Sequence, residues 1–132
     1  MSQSVKAMIV VAALVVVGVA ANQFSHAQAR AVGSTCRYGS SDRQRICYSQ
    51  LLSDHLTRHG VADAVATLDA IAAADPDVAE HAHEYAHGLG IEAYSTSPDI
   101  AATFSACGDG FSSGCRHGVI QAYFESRARD AA

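Results

Sequence analysis

The sequence predicts an all-α domain: a small bundle of four to five short helices, disulfide-stapled, preceded by an N-terminal hydrophobic helix. Three observations carry this. Apolar residues recur at helical spacing through most of the chain, and no segment beyond the N-terminal run alternates with β-branched enrichment. Asp75-Pro76 and Ser97-Pro98-Asp99 are helix-restart signals that cut the chain into helix-sized pieces. Four cysteines, an even count, all lie beyond the apolar N-terminal run.

Ala7 to Ala21 is an unbroken apolar run of fifteen residues that follows Lys6, the only lysine. It is shorter than the roughly 20 residues a spanning helix needs. Ala27-Gln28-Ala29 offers a small-x-small cleavage pattern. Residues 1–29 are therefore expected to be a signal peptide, with retention as an N-terminal membrane anchor (residues 5–21) as the alternative. Either way the rest is extracytoplasmic, periplasmic or secreted. Residues 30–40 read as a linker and residues 41–132 as the helical domain.

Within that domain, Ser40, Ser41 and Asp42 offer caps for a first helix, with Ile46, Leu51, Leu52 and Leu56 on or near one face and Gly60 as its stop. A second helix is predicted over Val61–Ala73, from Val61, Val65, Leu68 and Ile71 or Ala72. A third starts with Asp75 as cap and Pro76 at the first position, has Asp77 and Glu80 in its first turn, and runs to about Tyr94. A fourth is expected from Pro98 to about Ala106, burying Ile100 and Phe104. Gly108 to Gly114 is a loop by composition. A fifth helix starts near Ser113 and sets Val119, Ile120, Tyr123 and Phe124 on its apolar side. Residues 126–132 are expected to fray.

From Arg30 onward, eight arginines against thirteen acidic residues give a net charge of −5 with His neutral. There is no basic cluster, so nucleic acid is excluded as a partner. Membrane contact is expected only through the N-terminal hydrophobic segment. In an oxidising compartment four cysteines suit two disulfides. Cys36–Cys47 and Cys107–Cys115 close the shortest loops and are the preferred pairing, each adding about 2.5–3 kcal/mol in the chain-entropy picture. Cys107 and Cys115 as metal thiolates are the alternative.

The stretch His83-Glu84-Tyr85-Ala86-His87 places two imidazoles one helical turn apart on one face. Both can reach one metal ion, and His117 is the best third ligand. Three neutral imidazoles suit zinc or copper, with an open fourth position. The spelling is also that of a zinc peptidase, with Glu84 as catalytic base. Against this stand Glu80 before the motif, Ala93 where the extended motif has its third His, and the lack of any sheet to align substrate. His81 points about 200° away round the helix, and His55 and His59 read as a solvated C-terminal cap. Gly88, Gly90 and Gly118 each cost about 0.8–1 kcal/mol inside a helix relative to Ala. Close helix crossing or room for a ligand would offset that cost.

His83, His87, Gly90, Cys107, Gly114, Cys115, His117, Gly118, Val119 and Tyr123 together spell His-x-x-x-His-x-x-Gly, a Cys, then Gly-Cys-x-His-Gly-Val and an aromatic. This run of about forty residues resembles an uncharacterised group of exported or membrane-anchored microbial proteins. The resemblance implies that both His segments and both Cys belong to one constellation, and it brings no activity with it. The expected function is transition-metal binding through His83, His87 and His117. The alternatives are a metal-free structural or interaction module and a zinc hydrolase using Glu84.

Overall fold

The computed structural model describes residues 34–131, and these contain helices and turns but no strand. After a helical stub at residues 34–36 come α1 (Ser41–His59), α2 (Val61–Ala72), α3 (Pro76–Thr96), α4 (Ile100–Ala106) and α5 (Gly110–Asp130). The expected signal peptide or anchor over residues 1–29 lies outside the described residues, as do residues 30–33 of the linker. Among the described residues no helix is long and apolar enough to cross a membrane.

α3 is the central helix and packs against all four others. The core gathers Leu52 and Leu56 from α1, Leu68 and Ile71 from α2, Val78 and Leu89 from α3, and Val119 from α5. Both disulfides take the expected pairing, Cys36–Cys47 and Cys107–Cys115. The first fastens the chain before α1 to that helix. The second joins the end of α4 to α5, and both of its sulfur-bearing residues are buried.

The largest contact, α3 on α5, is made backbone to backbone. The helices run parallel: Gly114 meets His83 at one end and Tyr94 meets Tyr123 at the other, with ring centres 6.1 Å apart. Between these points the glycines interlock. A Cβ on Gly90 would stand 1.9 Å from the Cys115 carbonyl oxygen and 3.0 Å from the Val119 nitrogen. A Cβ on Gly118 would stand 2.0 Å from the His87 carbonyl oxygen and 2.9 Å from the Ile91 nitrogen. Residues 87 and 91, like 115 and 119, are i,i+4 partners in a helical ladder. Each glycine is therefore seated on a hydrogen-bonded peptide pair of the other helix. Only a glycine Cα–H fits there, and it is aimed at a carbonyl oxygen. Gly88 is different, since nothing lies within 4 Å of the position its Cβ would take.

Several expectations are corrected by this packing. α4 begins at Ile100, not Pro98: Asp99 is the cap, and its carboxylate accepts the Ala102 N–H at 3.0 Å. Pro98 disfavours helical backbone in the residue before it, so the chain stays extended there. Ile100 is partly exposed, Thr103 takes the buried place, and Phe104 is half-buried beneath the Arg116 guanidinium, 4.9 Å from its ring centre. On α5 the buried side is Gly114, Cys115, Gly118, Val119 and Ala122, and Phe124 is 65% exposed. The small residues, not the large ones, set that face, because they alone allow the close approach to α3. Ile46 is likewise outward, and Tyr48 is buried in its stead. Residues 126–130 continue α5 instead of fraying. Ser40 stands at the cap position of α1 without a side-chain capping bond.

The start of α3 is fixed by a buried polar knot that the sequence pattern did not reveal. The Asp75 carboxylate accepts the Asp77 N–H at 3.2 Å, the Tyr48 hydroxyl at 2.7 Å and Arg37 Nε at 3.3 Å. Arg37 also donates to the Ala74 carbonyl at 2.7 Å. Burial alone would raise the Asp75 carboxyl, but the Tyr48, Asp77 and Arg37 bonds outweigh it and hold the group below its ordinary 3.8. Burial, then the adjacent carboxylate, pushes the Tyr48 hydroxyl far above its ordinary 10.0.

Two predictions follow from this packing. Gly90→Ala and Gly118→Ala each drive a methyl group into a backbone carbonyl and lower stability by about 1–3 kcal/mol or more. Gly88→Ala meets open space and raises it by about 0.8–1 kcal/mol. Denaturant unfolding of the three variants under non-reducing conditions checks the opposite signs. For the knot, a depressed carboxyl stabilises the fold above its unfolded value and loses that contribution as pH falls through the folded one. The raised tyrosine contributes below pH 10.0 and fades as pH rises beyond. Tyr48→Phe should cost about 1–3 kcal/mol at neutral pH, as expected for a hydrogen bond to a charged group. It should also flatten the loss of stability below pH 3.8. Urea titrations across the acid range compare the two slopes.

Candidate metal centre

The α3–α5 crossing brings His83, His87 and His117 together. His83 and His87 are one turn apart on α3, with ring centres 6.4 Å apart and nearly parallel planes at 23°. His117, from α5, stands with its ring centre 5.7 Å from that of His83. The glycine contacts set this geometry directly. Gly118, beside His117, is seated on the carbonyl of His87 itself. His83 and His117 are exposed and His87 is half-buried.

Two imidazoles on one tetrahedral ion, at metal–nitrogen distances of roughly 2.0–2.1 Å, place their ring centres about 5 Å apart. The observed spacings are wider. Among the described residues no three His, Cys, Asp or Glu side chains stand as a group that could hold a metal ion. Closing the trio on one ion requires ring rotations between staggered wells.

His83 is oriented by a second feature. Between Cys107 and Cys115 the chain turns through Gly108 at φ +64° and then through Phe111, Ser112 and Ser113 at φ +54°, +52° and +60°. Three successive non-glycine residues thus form a left-handed turn, and the right-handed part of α5 begins at Gly114. Left-handed backbone costs L-residues roughly 1–2 kcal/mol each, so the turn needs restraint from its surroundings. The disulfide brackets it. Asp109 pairs with Arg116, whose Nε also donates to the Phe104 carbonyl at 3.3 Å. The Phe111 carbonyl accepts a hydrogen bond from His83 Nδ1 at 2.8 Å. A carbonyl can only accept, so Nδ1 of His83 carries a proton, and in the neutral ring Nε2 presents a lone pair. Carbonyl-anchored imidazoles of this kind are the usual arrangement behind metal-binding histidines. A Cβ on Gly114 would lie 2.6 Å from the His83 carbonyl, so this glycine too is part of the crossing.

The remaining candidates stand apart. His81 is bonded back to its own helix, donating from Nδ1 to the Asp77 carbonyl at 2.9 Å. His55 and His59 are in ring contact at 4.6 Å, and His55 Nε2 reaches the Asp63 carboxylate at 2.6 Å. The expected solvated cap is thus also a clamp across the α1–α2 turn. Glu84 lines a cleft against α1 shared with Arg45, Ser49, Tyr85, Gly88 and Glu92. No histidine lines that cleft. Burial raises the Tyr85 hydroxyl there. Glu92 accepts a bond from Ser53. Cys107 and Cys115 are joined to each other, so neither is a free thiolate.

The sequence signals the staple but not the left-handed turn. Phe-Ser-Ser carries no signal for positive φ, and the flanking glycines mark only a loop. By composition Gly114 is the edge of that loop. Its place in a Gly114-x-x-x-Gly118 stripe, matched by Ala86 and Gly90 on α3, was the available signal.

Comparison with protein-family models, with curated proteins and with solved structures finds no match for this chain.

Proposed function

We propose that the protein is a small extracytoplasmic helical module that binds a transition-metal ion, zinc or copper, through His83, His87 and His117. The observation that carries this reading is the position of the His83 ring. Its centre is 6.4 Å from that of His87 and 5.7 Å from that of His117, and its Nδ1 is held by a backbone carbonyl, which leaves Nε2 of the neutral ring as an acceptor. Three imidazoles would leave the fourth position of the ion open to water or a small ligand. The two disulfides support an oxidising compartment, in keeping with an exported chain. No catalytic role is proposed for Glu84, which lines the cleft against α1, a cleft that none of the three histidines lines.

A metal-free structural or interaction module is the second reading. The same His83–Phe111 bond favours it, because a latch on the left-handed turn is reason enough for a histidine there.

Titration of the full chain, purified without chelators, separates the two. The metal reading predicts one tight equivalent of zinc or copper. At 100 times the dissociation constant, binding should raise stability by about 2.7 kcal/mol. His87→Ala and His117→Ala should each weaken binding by roughly 10–100-fold or more, since even outer partners of a metal ligand carry that much. His55→Ala/His59→Ala should leave the tight site intact. Sub-stoichiometric metal, unchanged in His87→Ala, leaves the metal-free module standing.

A further inference from the structure

We infer that the left-handed turn Phe111–Ser113 is the positioning element of the histidine cluster: its carbonyl holds His83 as the Nδ1–H tautomer, so that Nε2 is the nitrogen offered to a metal. The inference rests on the metal reading for its functional meaning, though not for its geometry.

Four observations converge on the turn. Its backbone is left-handed at three residues that lack the freedom of glycine. The Cys107–Cys115 disulfide encloses it, and both cysteines are buried. The residue that follows it, Gly114, is pressed so closely on α3 that an added Cβ would lie 3.2 Å from His83 Nδ1. The Phe111 carbonyl accepts a hydrogen bond from His83 Nδ1, which ties the turn to α3. In the neutral imidazole one nitrogen donates and the other accepts, and the partner of one fixes the role of the other. A carbonyl on Nδ1 therefore dictates an acceptor at Nε2, as in the outer shells of metal-binding histidines. An ordinary right-handed start to α5 would carry the Phe111 carbonyl along the helix axis, into the ladder instead of toward α3. The unusual backbone is what turns it to His83.

Ser112, exposed at the middle of the turn, gives access to its backbone. Proline locks φ near −65°, far from the +52° found here, and also disfavours the left-handed region in the residue before it. Ser112→Pro thus withdraws the Phe111 carbonyl, whereas Ser112→Gly accepts positive φ freely.

The experiment is nitrogen-resolved NMR of the imidazoles in the full chain without metal, at mildly alkaline pH, with His83→Gln assigning the signal. The expected result is a His83 proton on Nδ1, retained in Ser112→Gly and lost toward the Nε2–H tautomer in Ser112→Pro. Zinc titration of the same proteins should then show affinity unchanged in Ser112→Gly and weakened by about 10–100-fold in Ser112→Pro. A His83 proton on Nε2 in the unaltered chain overturns the inference. So does a Ser112→Pro protein of normal helix content whose His83 tautomer is unchanged. Should Ser112→Pro fail to fold, the tautomer in the unaltered chain decides alone. The tautomer is read before any metal is added. A chain with Nδ1–H at His83 that binds no zinc would retire the metal reading and keep the positioning role.

Discussion

The contact between the backbones of α3 and α5 is the constraint on which the rest of this structure depends. Gly90 and Gly118 let each helix lie on a peptide hydrogen bond of the other, and no side chain larger than hydrogen fits at either point. Everything near the histidines is placed relative to that crossing. His87 lends its carbonyl to it, His117 adjoins the glycine that covers that carbonyl, and His83 lies one turn earlier. A glycine in mid-helix costs stability on its own. At Gly90 and Gly118 that cost is offset by close packing along two parallel helices. At Gly88 no packing offsets it, and the residue opens instead into the cleft against α1.

The crossing also explains why α4 is short and why the disulfide sits where it does. To run parallel to α3, α5 must begin at the same end of the bundle. The chain therefore returns through α4 and the loop at 107–113. That return ends in a left-handed turn, which unaided L-residues avoid. The Cys107–Cys115 bond holds the two ends of the loop together, and the His83 bond pins its middle. At the same end of α3, on its α1 side, the Asp75 knot fixes where the helix starts and joins it to α1 through Tyr48. The histidine-bearing helix is thus held from both sides by polar or covalent ties and not by apolar area alone. That suits a chain whose core residues are mostly small.

Much of this was legible in the sequence. Restart signals such as Asp75-Pro76 fix helix boundaries through local chemistry, and a short chain with four cysteines leaves few pairings. Which face of α5 is buried was not legible. Hydrophobic periodicity weighs large side chains, and Ile120 and Phe124 drew the predicted face outward. The true face is written in Gly114, Gly118 and Ala122, whose contribution is the absence of bulk. Tyr48 was hidden for a related reason: its burial is set by a carboxylate 27 residues away, which no local pattern encodes. The left-handed turn depends on a disulfide and a histidine from another helix, so Phe111, Ser112 and Ser113 alone could not announce it. The nearness of His83 and His87 was legible because an i,i+4 pair reports its own geometry.

What the crossing, the turn and the staple jointly produce is a rim of three imidazoles from two helices locked in parallel. X-ray absorption at the metal edge of the zinc- or copper-loaded protein addresses that most directly, because it counts the ligands themselves. Three imidazole nitrogens with a light fourth neighbour is the predicted shell. A shell containing cysteine sulfur, or no more than one imidazole, contradicts it.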